Sequence, residues 1–194
     1  MREATLVRKT KETDINMKLT LDKQGKGGLN GSSGIGFFDH MLNSFCVHGG
    51  FSVDLEMSGD LCVDGHHSVE DVGIVLGKLF AEILGDRGGI RRFGSCFLPM
   101  DEALAFCAVE ISGRPFLHYS APVTVPMIGD YDAQLTEEFM RALAVNMGAT
   151  LHVRLEYGVN QHHITEAIYK AVARAIGEAV QPFGEGVLSA KGVL

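Results

Sequence analysis

Asp64-Gly-His-His-Ser-Val-Glu-Asp71 recurs as Asn160-Gln-His-His-Ile-Thr-Glu-Ala167. Both strings contain HHxxE, first at His66, His67 and Glu70, then at His162, His163 and Glu166, an offset of 96. Two such strings point to an internal repeat, and the flanks agree. Gly50-Phe-Ser-Val-Asp-Leu-Glu-Met57 aligns with Gly148-Ala-Thr-Leu-His-Val-Arg-Leu155 at an offset of 98. Phe51, Val53, Leu55 and Met57 then fall on Ala149, Leu151, Val153 and Leu155, the period of a half-buried strand. The same offset sets His40 on Glu138.

Outward from these strings the halves read alike. Residues 3–10 and 15–21 alternate around Thr13-Asp14, and 103–111 and 116–121 alternate around Ser112-Gly-Arg-Pro115, so each pair predicts a hairpin. A helix is expected near 38–48 and 135–147, and a strand near 51–57 and 149–156. Second helices are expected at 67–84 and 163–180. The last carries an apolar stripe at Ile164, Ala167, Ile168, Ala171, Val172, Ala175 and Ile176, and Pro182 and Gly184 close it. The Gly/Ser-rich segment Gly25–Gly36 reads as a mobile loop. The fold expected is α+β, with two pseudo-symmetric repeats at residues 1–92 and 93–194 forming one compact unit. Each repeat is a mixed β-sheet packed on two α-helices, giving a sheet/helices/sheet sandwich.

Bulk composition narrows the function. A net charge of −7 argues against nucleic acid or an anionic membrane as partner. No apolar run has the length of a membrane span, and the first ten residues lack the apolar core of a secretion signal. The four cysteines show no CxxC spacing and read as small buried hydrophobes in a reducing compartment, so a cytoplasmic location is expected. Eight histidines in a chain without tryptophan are the unusual feature.

Imidazole nitrogen and carboxylate oxygen suit borderline divalent metals. Adjacent histidines on a helix point about 100° apart, so one HH pair serves two ions better than one. Each ion then takes one His from each pair plus one Glu, with His40 and Glu138 as further ligands. Positions left open for substrate make such a site catalytic rather than structural. Mn²⁺ fits a mixed N/O octahedron, though Fe, Co or Zn would also bind these donors. His48, His118 and His152 have no matching His in the other half. A dinuclear metallohydrolase and a non-enzymatic metal store are the rival readings. The first would lean on Asp-rich ligands, which are scarce here, and the second leaves Arg92, Arg114, Lys170 and the Ser189-Ala-Lys-Gly192 tail without a role.

The sequence resembles the imidazoleglycerol-phosphate dehydratase family of histidine biosynthesis. The resemblance rests on residues 34–42 (GIGFFDHML), 64–77 (DGHHSVEDVGIVLG), 99–105 (PMDEALA), 112–115 (SGRP), 160–171 (NQHHITEAIYKA) and 188–194 (LSAKGVL). It covers almost the whole chain and matches the single-function form, a hydro-lyase. It implies two Mn²⁺ per active site, held by His40, His66, His67, Glu70, His162, His163 and Glu166. Many relatives carry His where this chain has Glu138, whose anionic oxygen would change the charge around the ion. Glu12 resembles the family's acid/base glutamate, with Asp101 a second catalytic candidate and His48 lining the site. Arg92, Arg114, Lys170, Ser189 and Lys191 match its phosphate contacts.

The implied reaction binds the substrate's imidazole between the metals and removes the proton from the second carbon out from the ring. Hydroxide leaves from the carbon next to the ring, and the enol becomes the ketone imidazole acetol phosphate. The apolar content of 46% and mean hydropathy of +0.12 are high for a short chain exposing its whole surface, which suggests a homo-oligomer. The resemblance implies a shell of twenty-four copies built from trimers, with active sites between chains.

Overall fold

Burial with period two defines the strands, as on Thr13–Thr20, where Ile15, Met17 and Leu19 are buried and Asn16 is exposed. The structure, a computed structural model, describes residues 2–22 and 26–192. The first half contains β1 (Glu3–Lys9), β2 (Thr13–Thr20), β3 (Gly28–Gly31), α1 (Gly36–Gly49), β4 (Ser52–Gly59) and α2 (His66–Leu84). The second contains β5 (Phe93–Met100), β6 (Ala103–Ile111), β7 (Phe116–Ser120), the short pair β8 (Met127–Ile128) and β9 (Tyr131–Asp132), α3 (Leu135–Met147), β10 (Ala149–Tyr157) and α4 (Gln161–Ala179).

The two four-stranded sheets have the same order, β1-β2-β4-β3 and β5-β6-β10-β7. In each, one edge strand is parallel to its neighbour and the remaining pairs are antiparallel. Helices α1 and α2 pack on the first sheet, and α3 and α4 on the second. The layers join through the pairs α1–α4 and α2–α3, each taking one helix from each half. The expected sandwich of two pseudo-symmetric halves is therefore the architecture. The α2–α3 approach depends on Gly73 and Gly77. A Cβ on Gly73 would lie 2.9 Å from the Phe139 carbonyl oxygen, and one on Gly77 2.7 Å from that of Leu143.

Three expectations need correction. Residues 103–111 and 116–121 do not form a hairpin. β6 pairs with β5, which had not been anticipated, and β7 runs parallel to β10. The true counterpart of the β1–β2 hairpin is β5–β6, at 93–100 and 103–111. The Gly-rich segment holds strand β3, parallel to β4, and the start of α1; Gly25 lies outside the described residues. Only glycine fits at Gly31, where φ is +112° and a Cβ would stand 1.9 Å from the Leu55 carbonyl oxygen. Of the cysteines, Cys46 and Cys107 are buried as expected, whereas Cys62 is exposed and Cys96 half-buried.

Candidate active site

Asn160 starts α4 by accepting hydrogen bonds from the backbone N–H groups of His162 and His163, a side-chain N-cap. The two rings then diverge, with planes 78° apart; those of His66 and His67 at the start of α2 are 83° apart. His162 turns towards α1. Its Nε2 lies 3.2 Å from Glu166 Oε2, one helical turn on, and His40 Nε2 from α1 lies 3.8 Å from the same oxygen. One ligand atom from each of His40, His162 and Glu166 falls within 4.8 Å of the others, a set that could hold a metal ion. Two nitrogens and an oxygen suit a borderline divalent cation.

Glu166 is buried, and Lys170, a turn further along α4, donates to its Oε1 at 2.6 Å. Burial alone would raise the Glu166 pKa. Lys170, His40 and His162 outweigh it and hold the carboxyl below its usual value, so it stays anionic.

The second histidines lie among other carboxylates. His163 Nδ1 lies 2.6 Å from Glu102 Oε2 and its Nε2 3.7 Å from Asp101, both in the β5–β6 turn. His67 Nδ1 lies 2.9 Å from Asp60, just after β4, and its Nε2 3.8 Å from Glu12 in the β1–β2 turn. The hydrogen bond to Asp60 raises the His67 pKa, and that to Glu102 raises the pKa of His163. Backbone N–H donation from Asn160, then the hydrogen bond with His163, holds Glu102 down at about 2.

The other expected ligands are less gathered. His66 lines a hollow of about 480 Å³ with Asp64, Asp130 and Asp132, and its backbone N–H donates to Asp64. Glu70 sits half-buried a turn beyond. Glu138 turns to Arg141, 3.9 Å away. Among the described residues no cluster of three ligands forms around this pair.

The expected phosphate contacts split into two places. Arg92 and Arg114 both reach Glu110, at 2.5 and 3.2 Å, and Arg92 also donates to the Leu188 carbonyl beside Ser189. The Lys191 backbone N–H donates to the Ser189 hydroxyl, a local turn. Lys170 is the exception, seated on α4 beside Glu166. His48 lines a groove of about 680 Å³ with Arg91, Cys96, Arg174 and Glu178. Burial, then the positive charges of Lys170 and Arg174, lowers its pKa.

A family model described as imidazoleglycerol-phosphate dehydratase matches residues 33–176. The chain is 52% identical over 189 residues to the imidazoleglycerol-phosphate dehydratase of Alkaliphilus metalliredigens, covering 96% of each chain. It is 50% identical to that of Clostridium novyi, over 100% of this chain and 98% of the relative. The chain belongs to the imidazoleglycerol-phosphate dehydratase family. The solved dehydratase from Staphylococcus aureus superposes with a TM-score of 0.83 at 38% identity, covering 93% of this chain and 99% of that one. The family's members are hydro-lyases of histidine biosynthesis, and the His40–His162–Glu166 cluster falls within the matched residues.

Sequence reading missed Asp60, Glu102 and Asp71. Buried Asp71 on α2 takes hydrogen bonds from Arg8 at 2.7 Å and from the Thr13 hydroxyl, tying the β1–β2 hairpin that carries Glu12 to the helix that carries His67. The signal available was a carboxylate inside the apolar stripe of α2, which needs a partner when buried. Asp60 and Glu102 lie in turns and gave no pattern.

Proposed function

We propose that the chain dehydrates D-erythro-imidazoleglycerol phosphate to imidazole acetol phosphate in L-histidine biosynthesis, at a site holding two Mn²⁺ ions. The observation that carries this reading is the convergence of His40, His162 and Glu166 beside Lys170. These three residues would hold one ion. His66, His67, Glu70, Glu138 and His163 would complete the pair of sites. Bound divalent ions would withdraw electron density from the substrate's imidazole and lower its pKa.

The chain's own residues move the protons and hold the phosphate. Glu12, whose carboxylate lies 3.8 Å from His67 Nε2, takes the proton from the second carbon out from the ring, and hydroxide leaves from the carbon beside the ring. Asp101, 3.7 Å from His163 Nε2, is the second proton carrier, and His48 lines the approach. Arg92, Arg114, Ser189 and Lys191 bind the phosphate together with Lys170. Their separation from Lys170 on other elements supports a site shared between chains, in a shell of twenty-four copies built from trimers. Phe93, Phe97 and Phe116, each more than half exposed on the outer face of the second sheet, supply apolar surface for such contacts. No described helix is long and apolar enough to cross a membrane, in keeping with a cytoplasmic enzyme.

The deciding experiment incubates the Mn²⁺-loaded protein with imidazoleglycerol phosphate. Formation of imidazole acetol phosphate, abolished by chelation and restored by Mn²⁺, is the expected result. Release of inorganic phosphate instead would replace dehydration by hydrolysis.

A further inference from the structure

We propose that Asp60 and Glu102 are positioning residues that fix the tautomer and orientation of His67 and His163, so that each neutral ring presents its Nε2 lone pair to a metal ion. The inference rests on the metal-site reading above. The geometry is the same twice. Each Nδ1 faces one carboxylate oxygen, at 2.9 Å for His67 and 2.6 Å for His163. An imidazole that donates Nδ1–H to a carboxylate keeps its lone pair on Nε2, and its basicity as a ligand rises.

The repeat does not by itself produce this pairing. Asp60 follows β4, and at the offset of 98 its counterpart is Gly158, which has no side chain to offer. Glu102 immediately precedes β6, where the counterpart before β2 is Glu12. Glu12 stands 3.8 Å from His67 Nε2 instead. The two halves thus bring a carboxylate to Nδ1 from different elements, although the chain positions around them have diverged. A contact retained by different means in each half points to a demand of the histidine itself.

Both carboxylates are held in place. Glu102 Oε1 accepts the N–H groups of Val159 and Asn160, at 3.2 and 2.7 Å, which leaves Oε2 for His163. These bonds fasten the β5–β6 turn to the start of α4. The Asp60 backbone N–H donates to the Glu12 carbonyl at 3.0 Å, which fastens the end of β4 to the β1–β2 turn. Neither carboxylate needs to touch the substrate or an ion to act in this way.

The test compares Asp60→Ala, Glu102→Ala and the conservative Asp60→Asn. Asn retains a carbonyl oxygen that can accept Nδ1–H, and Asp60 Oδ1, which its amide group would replace, has no hydrogen-bond partner to lose. In the metal-free protein at alkaline pH, where both rings are neutral, ¹⁵N NMR of the histidine rings reads the tautomer directly. Wild type is expected to hold His67 and His163 in the Nδ1–H form. Asp60→Ala should release His67 alone and Glu102→Ala His163 alone, each to a mixture, while Asp60→Asn retains the Nδ1–H form. Calorimetric titration with Mn²⁺ should show affinity lower by about ten- to a hundredfold in the Ala variants, largely rescued by Asn. An Ala variant with unchanged tautomer, or with wild-type Mn²⁺ affinity, would overturn the proposal. So would equal loss in Asn and Ala at position 60. Glu102→Ala also removes two backbone caps, and Asp60→Ala, free of that complication, keeps the test decisive should the former unfold. If wild type itself bound no Mn²⁺, the metal-site reading would fail, while the tautomer measurement would still decide the positioning role.

Discussion

The α1–α4 and α3–α2 helix pairs are equivalent by the repeat, yet they carry different sites. At the first, His40, His162 and Glu166 converge. At the second, Glu138 occupies the position of His40 and turns to Arg141, and among the described residues His66 and Glu70 gather no third ligand. The backbone was duplicated closely and the side chains were not. Symmetry of fold therefore sets where ligands can stand, and individual residues decide which stations are filled within one chain. The less gathered end fits a site completed by a neighbouring copy, as proposed.

The largest effects should come from the residues in which the two ends agree. His67→Ala and His163→Ala are each expected to remove about one of two bound Mn²⁺ ions and to lower turnover more than about a hundredfold, since a direct ligand outweighs its supporting shell. Elemental analysis of reconstituted protein checks the first point, and a total near one ion in wild type would break the paired-site reading. Acid should act in the same direction. The raised pKa values of both histidines mean that protons compete with metal at a pH above the ordinary value of about 6.5. Mn²⁺ affinity should therefore begin to fall above that pH and be lost as both rings protonate.

Next in size is the difference between the two turns. Glu12→Gln should keep both metals and the fold but lose about 10²–10⁴-fold in turnover, because the amide keeps the shape and cannot exchange the proton. Asp101→Asn is the matched variant at the other turn. A larger loss there would move the base from the first half to the second.

The repeat itself was legible because HHxxE and the strand before it keep their residue types at nearly fixed offsets. The central helices followed from apolar periodicity. β5 escaped because its outward residues Phe93 and Phe97 are as apolar as its inward ones, so alternation vanished. β3 escaped because its glycines read as turn formers, whereas Gly31 is demanded by a close parallel approach to β4. Of the candidate site, the gathered His40, His162 and Glu166 were legible in the repeat and its flanks. Asp60, Glu102 and Asp71 act through contacts between elements distant in sequence, which no local pattern records.

Asp71 tests how far the halves differ in what anchors them. Its counterpart at the offset of 96 is Ala167, so the second half has no equivalent of its ion pair with Arg8. Asp71→Ala should cost about 3 kcal/mol, because it strips a partly buried guanidinium and the Thr13 hydroxyl of their partner. Chemical denaturation measures this, and a loss under about 1 kcal/mol would show that the hairpin is held by apolar packing instead.

The smallest effect, and the sharpest on the comparison, is expected from Glu138→His, which makes position 138 the same as position 40. The Arg141–Glu138 contact is long and half-exposed, and Arg141 keeps its closer bond to Glu137, so stability should change by less than about 0.5 kcal/mol. The ligand chemistry changes more than the fold does. A neutral nitrogen replaces an anionic oxygen, which favours Zn²⁺ or Ni²⁺ over Mn²⁺ and lowers the negative charge around the ion. Competition titrations should show that shift in one of two ions, because His40 already serves the other. If neither ion responds, Glu138 is not a ligand and its bond to Arg141 is its whole role. If both respond, the two metal positions are coupled more closely than the separate helix pairs imply.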